Sequence, residues 1–153
     1  MKRARIGIIA AAVLAVSAVA FAQAKPDFSG TWTPDTSAAP AGGGRGMGAG
    51  PMTVKQTADA LTIERSMGDN KITMTYKLDG TESVNKMMGR GGEVEVKSTA
   101  KWDGGKLVIT EKRPGQDGAI METTQTWSLD AGNLKIDRTG GRGPSTQVYK
   151  KST

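Results

Sequence analysis

Glu93-Val94-Glu95-Val96-Lys97-Ser98-Thr99-Ala100-Lys101-Trp102 is the stretch that decides how this chain reads. Val94, Val96, Ser98, Ala100 and Trp102 fall on one side of it; Glu93, Glu95, Lys97, Thr99 and Lys101 fall on the other. A helix returns to one face about every 3.6 residues and would scatter both sets around its circumference. An extended strand alternates its side chains and separates them completely. The stretch is a strand with one dry face and one wet face.

The same reading extends in both directions. Downstream, Asp103-Gly104-Gly105 turns the chain into a strand at 106–112, and Pro114-Gly115 opens a longer loop. Strands follow at 120–129, 134–138 and 146–151, with turns at 130–133 and 139–145. Upstream, Lys71–Lys77 alternates with Ile72, Met74 and Tyr76 on one face, and Asp79-Gly80 reads as a hairpin turn into a strand at 81–87. Short strands at 30–33, 52–57 and 61–65 complete a set of ten. Short connections between sequential strands predict an all-β, up-and-down antiparallel meander. Closure into a barrel would remove its exposed edges; an open sheet and a two-sheet sandwich are the alternatives.

The first 24 residues have the form of a secretory signal peptide: Lys2, Arg3 and Arg5, an apolar run from Ile6 to Phe21, then Ala22-Gln23-Ala24 with cleavage expected before Lys25. The alternative is a retained anchor, for which the run is short. Residues 25–153 then form one domain of 129 residues carrying 18 cations and 15 acids. The resulting charge of +3 is that of an ordinary solvated surface, not of a nucleic-acid-binding face. The expectation is a secreted or periplasmic monomer with no membrane span after cleavage and no nucleic-acid partner.

Cys and His are absent from the whole chain. Thiol and imidazole nucleophile systems, imidazole bases and His-ligated metals are therefore excluded, and no cofactor or metal is expected. The turn aspartates at 79, 103, 117 and 130 suit local backbone hydrogen bonding and form no acid–base pair. The expectation is a protein that is not an enzyme.

In an up-and-down meander the loops alternate between two ends. One end takes the tight turns near 59, 79, 104 and 131; the other takes 34–51, 66–70, 88–92, 113–119 and 139–145. The segment 38–51 is glycine-rich and reads as a flexible loop. Three Gly-Arg-Gly tripeptides, centred on Arg45, Arg90 and Arg142, fall at the second end with Met47, Met67, Met87 and Met88. Arg suits anionic groups and Met suits variable apolar contacts, so this end reads as a ligand mouth. The candidate ligand-binding residues are Arg45, Met67, Tyr76, Met87, Met88, Arg90, Arg142, Gln147 and Tyr149. The alternative is compositional bias in solvated loops.

Phe28-Ser29-Gly30-Thr31-Trp32, the Lys101-Trp102-Asp103-Gly104 hairpin and Thr146-Gln147-Val148-Tyr149-Lys150 together resemble the lipocalin and fatty-acid-binding (calycin) β-barrels. The chain is also similar to small exported bacterial lipocalin-like proteins of unassigned activity. The resemblance implies that Gly30 and Trp32 set and plug the closed end of a barrel. It also implies that ligand enters near the turns at 66–70 and 88–92. An Arg-x-Tyr on the last strand commonly holds the ligand carboxylate in that family; here the positions read Gln147-x-Tyr149, and Gln cannot neutralise a carboxylate. The expected function is an exported binding protein for a small hydrophobic or amphipathic ligand, lipid included. The alternative is a non-catalytic envelope or interaction module whose barrel is filled by its own side chains.

Overall fold

The computed structural model describes residues 24–37, 50–89, 91–115, 117–141 and 143–152, the side chain of Met67 apart. Residues 1–23, expected to be a signal peptide, the segment 38–49 with Arg45, and Arg90 and Arg142 lie outside the described residues.

Ten strands make up the domain: β1 (Gly30–Pro34), β2 (Met52–Gln56), β3 (Ala60–Met67), β4 (Asn70–Lys77), β5 (Ser83–Gly89), β6 (Gly92–Asp103), β7 (Lys106–Pro114), β8 (Ile120–Asp130), β9 (Asn133–Gly140) and β10 (Ser145–Lys151). All join one antiparallel sheet in the order β4-β3-β2-β1-β10-β9-β8-β7-β6-β5. β1 pairs with both β2 and β10, so the first and last strands are internal to the sheet. The sheet rolls into a nearly closed barrel whose two free edges, β4 and β5, meet along a seam.

That seam corrects the expectation of a hairpin at Asp79-Gly80. Asp79 Oδ1 accepts from the Thr81 amide (2.8 Å) and hydroxyl (2.6 Å), a local turn that competes with strand pairing. The preceding Leu78 is buried, and its N–H donates to the Asp59 carbonyl of the neighbouring turn at 2.8 Å. The chain is thus drawn into the base of the barrel before it re-emerges as β5. Side chains take over the closure. Asn85 Oδ1 accepts from the Thr75 N–H (2.8 Å), Asn85 Nδ2 donates to the Thr75 carbonyl (3.0 Å), and Ser83 Oγ accepts from the Lys77 N–H (2.9 Å).

The mouth hairpins are also tighter than expected. Pairing continues to Met67↔Asn70 and Gly89↔Gly92, which leaves two residues in each of these turns. Inward positions along each strand change character from one end of the barrel to the other. The tight-turn half is apolar: Phe28, Leu61, Leu78, Leu107, Trp127 and Leu134 are all buried. Phe28 stacks on Trp102 (centroids 6.0 Å apart, planes 5° apart) and meets Trp127 edge-on at 5.7 Å. Each such side chain contributes about 1.5–3 kcal/mol of burial. Toward the other end the inward positions of β3, β7, β8 and β9 become polar or charged, at Arg65, Glu111, Gln125 and Arg138.

Candidate functional site

Three strands leave the tight-turn end with the same inward sequence. Leu61-x-Ile63-x-Arg65 on β3, Leu107-x-Ile109-x-Glu111 on β7 and Leu134-x-Ile136-x-Arg138 on β9 each place two buried aliphatic residues below one charged residue. Period-2 alternation puts all three positions of each strand on one face, so each charge follows its two aliphatic residues on the inward side. Gln125 of β8 lies across from Ile109 and Arg138 in register, and Ser98 of β6 lies across from Glu111.

Tyr76, Glu111, Gln125, Trp127 and Arg138 form one hydrogen-bonded chain above the apolar floor, with Ser98 opposite Glu111 and Arg65 near enough to act on Arg138. The Tyr76 hydroxyl donates to Glu111 Oε1 at 2.6 Å, and Gln125 Nε2 donates to Glu111 Oε2 at 3.0 Å. Gln125 Oε1 in turn accepts from Trp127 Nε1 at 3.3 Å and from Arg138 Nη2 at 3.4 Å. Arg65 Nη2 donates to Met52 Sδ at 3.2 Å, and the Tyr149 hydroxyl donates to Gln147 Oε1 at 3.1 Å. The guanidinium groups of Arg65 and Arg138 and the Glu111 carboxylate together carry a formal charge of about +1, and Arg113 lies two residues beyond Glu111 on the same face of β7.

Two of the polar atoms in this cluster are buried without a partner: Arg138 Nε and Ser98 Oγ. The ion pairs formed among the described residues do not include Arg138. Burial, and after it the like charge of Arg65, pull the Arg138 guanidinium below its ordinary value, while Glu111 opposes the shift. Burial is likewise the main reason the Tyr76 phenol is held well above its usual value, with the Glu111 charge and hydrogen bond adding to it. Leaving a buried donor unpaired costs about 1–3 kcal/mol. A cluster with a spare buried guanidinium donor is chemically suited to an anionic or strongly accepting group.

Of the residues singled out from the sequence, Tyr76 is in this cluster, Tyr149 acts electrostatically on Arg138, and Gln147 accepts from the Tyr149 hydroxyl. Met87 is inward-facing and partly buried on β5, opposite Val94. Met88 is not brought to the site: alternation places it on the outer face, 68% exposed. Met67 ends β3, and its side chain lies outside the described residues, as do Arg45, Arg90 and Arg142. Trp32 is buried, and its Nε1 donates to the Phe28 carbonyl at 2.8 Å. Gly30 adopts φ 141, and a side chain there would meet Lys151.

Arg65, Glu111, Gln125 and Arg138 were not singled out, although the threefold Leu-x-Ile-x-Arg/Glu pattern marks three of them. The cations that Gln147 does not supply come from β3 and β9. The cavity described, of about 320 Å³, opens away from this cluster, at the tight-turn end, among Lys25, Asp27, Gln56, Thr57, Leu78 and Trp102. Lys25 Nζ stands 5.6 Å from the centroid of the Trp102 ring there.

No family model matches the chain. Solved structures do share its architecture. Lipid binding protein 8 of Caenorhabditis elegans superposes with a TM-score of 0.61 at 12% identity, covering 82% of this chain and 95% of that one. The REP1-NXSQ fatty acid transporter gives 0.58 at 16% identity, covering 82% and 96%. A mutant of the fluorescent protein UnaG gives 0.57 at 25% identity, covering 82% and 96%. The ten-stranded order, the β4–β5 seam and these superpositions give the chain the fold of the lipocalin-like and fatty-acid-binding-protein-like (calycin) β-barrels.

Proposed function

We propose that this protein is an exported, monomeric carrier that holds one small amphipathic molecule inside its barrel. The apolar part of the ligand lies toward the aliphatic floor, and its acidic end lies against Arg138 and Arg65. The observation that carries the reading is the buried, unpartnered Nε of Arg138 directly above Ile136 and Leu134. A group that accepts from this donor removes the cost of leaving it unpaired and brings a counter-charge to a net-positive interior. Two structural neighbours are named as a lipid binding protein and a fatty acid transporter, which agrees with this reading. Both oxygens of Glu111 are engaged, as expected of a carrier rather than of a catalyst with a free base. The two sheet edges face one another across the seam, so neither is open to a second copy.

The test is displacement of a fluorescent amphiphile, anilinonaphthalene sulfonate, by dodecanoate, followed together with Trp emission. Saturable displacement supports the carrier. If neither dodecanoate nor dodecanol displaces the dye, and protein purified from its own host carries no small molecule in native mass spectrometry, the reading fails.

One observation favours the alternative of an interaction module with a filled barrel. Trp32, Trp127, Tyr76, Tyr149 and Phe28 are all fully buried and fill much of the barrel's interior. That reading gains if the ligand tests fail and the mouth binds an anionic surface instead.

A further inference from the structure

We infer that Glu111 is a specificity-determining residue that sets the charge of the accepted ligand at one, an inference that rests on the carrier reading above. Three features of the interior lead to it.

The first is the arrangement of charge. Arg65, Glu111 and Arg138 all act electrostatically on the Tyr76 phenol or on one another, so they form one charged unit within the barrel. Their sum is one positive charge. Charges removed from water are tolerated when they are balanced nearby, so a monoanion completes the unit. A dianion would leave one buried negative charge in excess, and a neutral ligand would leave the positive charge where it is.

The second is the way Glu111 is held. Oε1 is occupied by the Tyr76 hydroxyl and Oε2 by Gln125 Nε2. Glu111 is therefore fixed as an internal anion that does not depend on the ligand. Its hydrogen bond also fixes the Gln125 amide so that Oε1 turns toward Trp127 Nε1 and Arg138 Nη2.

The third is what remains unpaired around it. The free groups are Arg138 Nε, a donor, and Ser98 Oγ, whose hydroxyl can donate. Ser98 sits opposite Glu111 in the β6–β7 ladder, and Arg138 sits opposite Gln125 in the β8–β9 ladder. Glu111 thus uses up the cation surplus that a doubly charged head would need and leaves donors for a singly charged one.

The experiment measures dissociation constants for dodecanoate, dodecyl phosphate and dodecanol at pH 8, where the phosphate monoester carries close to two charges. Wild type is expected to prefer dodecanoate to both others. Glu111→Gln raises the charge of the unit by one and should shift the dodecanoate-to-phosphate preference toward the phosphate by at least about tenfold. Arg138→Gln lowers the charge by one and should shift preference toward dodecanol by a similar factor, so the idea remains testable if Glu111→Gln does not fold. Binding of dodecanoate with preferences that change by less than about threefold in the folded variants would overturn the role of Glu111 while leaving the carrier intact. A wild type that binds none of the three overturns the carrier, and the charge-setting role with it.

Discussion

The amide of Asn85 on β5 pairs with both backbone groups of Thr75 on β4, accepting at 2.8 Å and donating at 3.0 Å. One side chain thus reproduces the exchange that a residue of a neighbouring strand would make. With Ser83 it closes the only two edges of the ten-stranded sheet described. Both side chains are buried, so these polar atoms cannot fall back on solvent when a bond is lost.

Asn85→Leu preserves much of the volume but leaves the Thr75 N–H and C=O without these partners. The expected loss is about 2–4 kcal/mol of unfolding free energy by urea titration. Hydrogen exchange should show faster exchange at the Thr75 and Lys77 amides than at amides in the β8–β9 ladder. Equal protection at both places would show that the seam does not depend on these bonds.

Phe28 precedes the first strand yet is fully buried between Trp102 and Trp127. Gln56 clamps it in place: Oε1 accepts from the Phe28 N–H, and Nε2 donates to the Pro26 carbonyl, each at 3.0 Å. Phe28→Ala should cost about 3–5 kcal/mol by chemical denaturation, with a red shift of native Trp emission as water reaches the indoles.

The Tyr76 hydroxyl is buried, next to Glu111, and its pKa lies well above the ordinary value. A phenol that the fold keeps protonated lowers stability relative to the unfolded chain once the ordinary phenol would have ionised. Above about pH 10 the unfolded state gains by releasing its proton and the folded state does not, so stability falls as pH rises. Absorbance at alkaline pH, in wild type and Tyr76→Phe, checks this. On alkaline unfolding the wild type should gain a larger phenolate absorbance step than Tyr76→Phe, the excess being the one phenol that the fold had kept protonated.

Arg138 presents a buried charge whose Nε has no partner. Arg138→Met fills similar space without that charge and should leave stability unchanged or raise it by about 1–3 kcal/mol in thermal denaturation without ligand. The same variant should lose affinity for dodecanoate by about tenfold or more. Lower stability together with unchanged affinity would count against an anion site at this residue.

Strand content, strand number and the up-and-down order follow from period-2 alternation and turn residues, both of which are local. The 93–102 run became β6 with the dry face as read, and Asp103-Gly104-Gly105 became its turn. Asp79-Gly80 misled for a physical reason: a turn residue specifies a local reversal, but whether the flanking strands then pair depends on partners elsewhere, here the Asp59 carbonyl and the Asn85 side chain. Met87 and Met88 were both named from the sequence; which of the two faces inward is a matter of phase within the strand, which the ladder to β6 fixes.

The sequence alone determined a strand-rich chain without Cys or His and with one apolar face per strand, because alternation is written residue by residue. It also contained the repeated Leu-x-Ile-x-Arg/Glu pattern, but nothing local says that three such strands converge. Only the tertiary structure decided that. Rolling the sheet brings Arg65, Glu111 and Arg138 from β3, β7 and β9 around one interior, with Tyr76 reaching Glu111 across 35 residues of sequence. Charge balance in a buried space is a property of that convergence, because each of these side chains taken alone on its strand would simply be solvated.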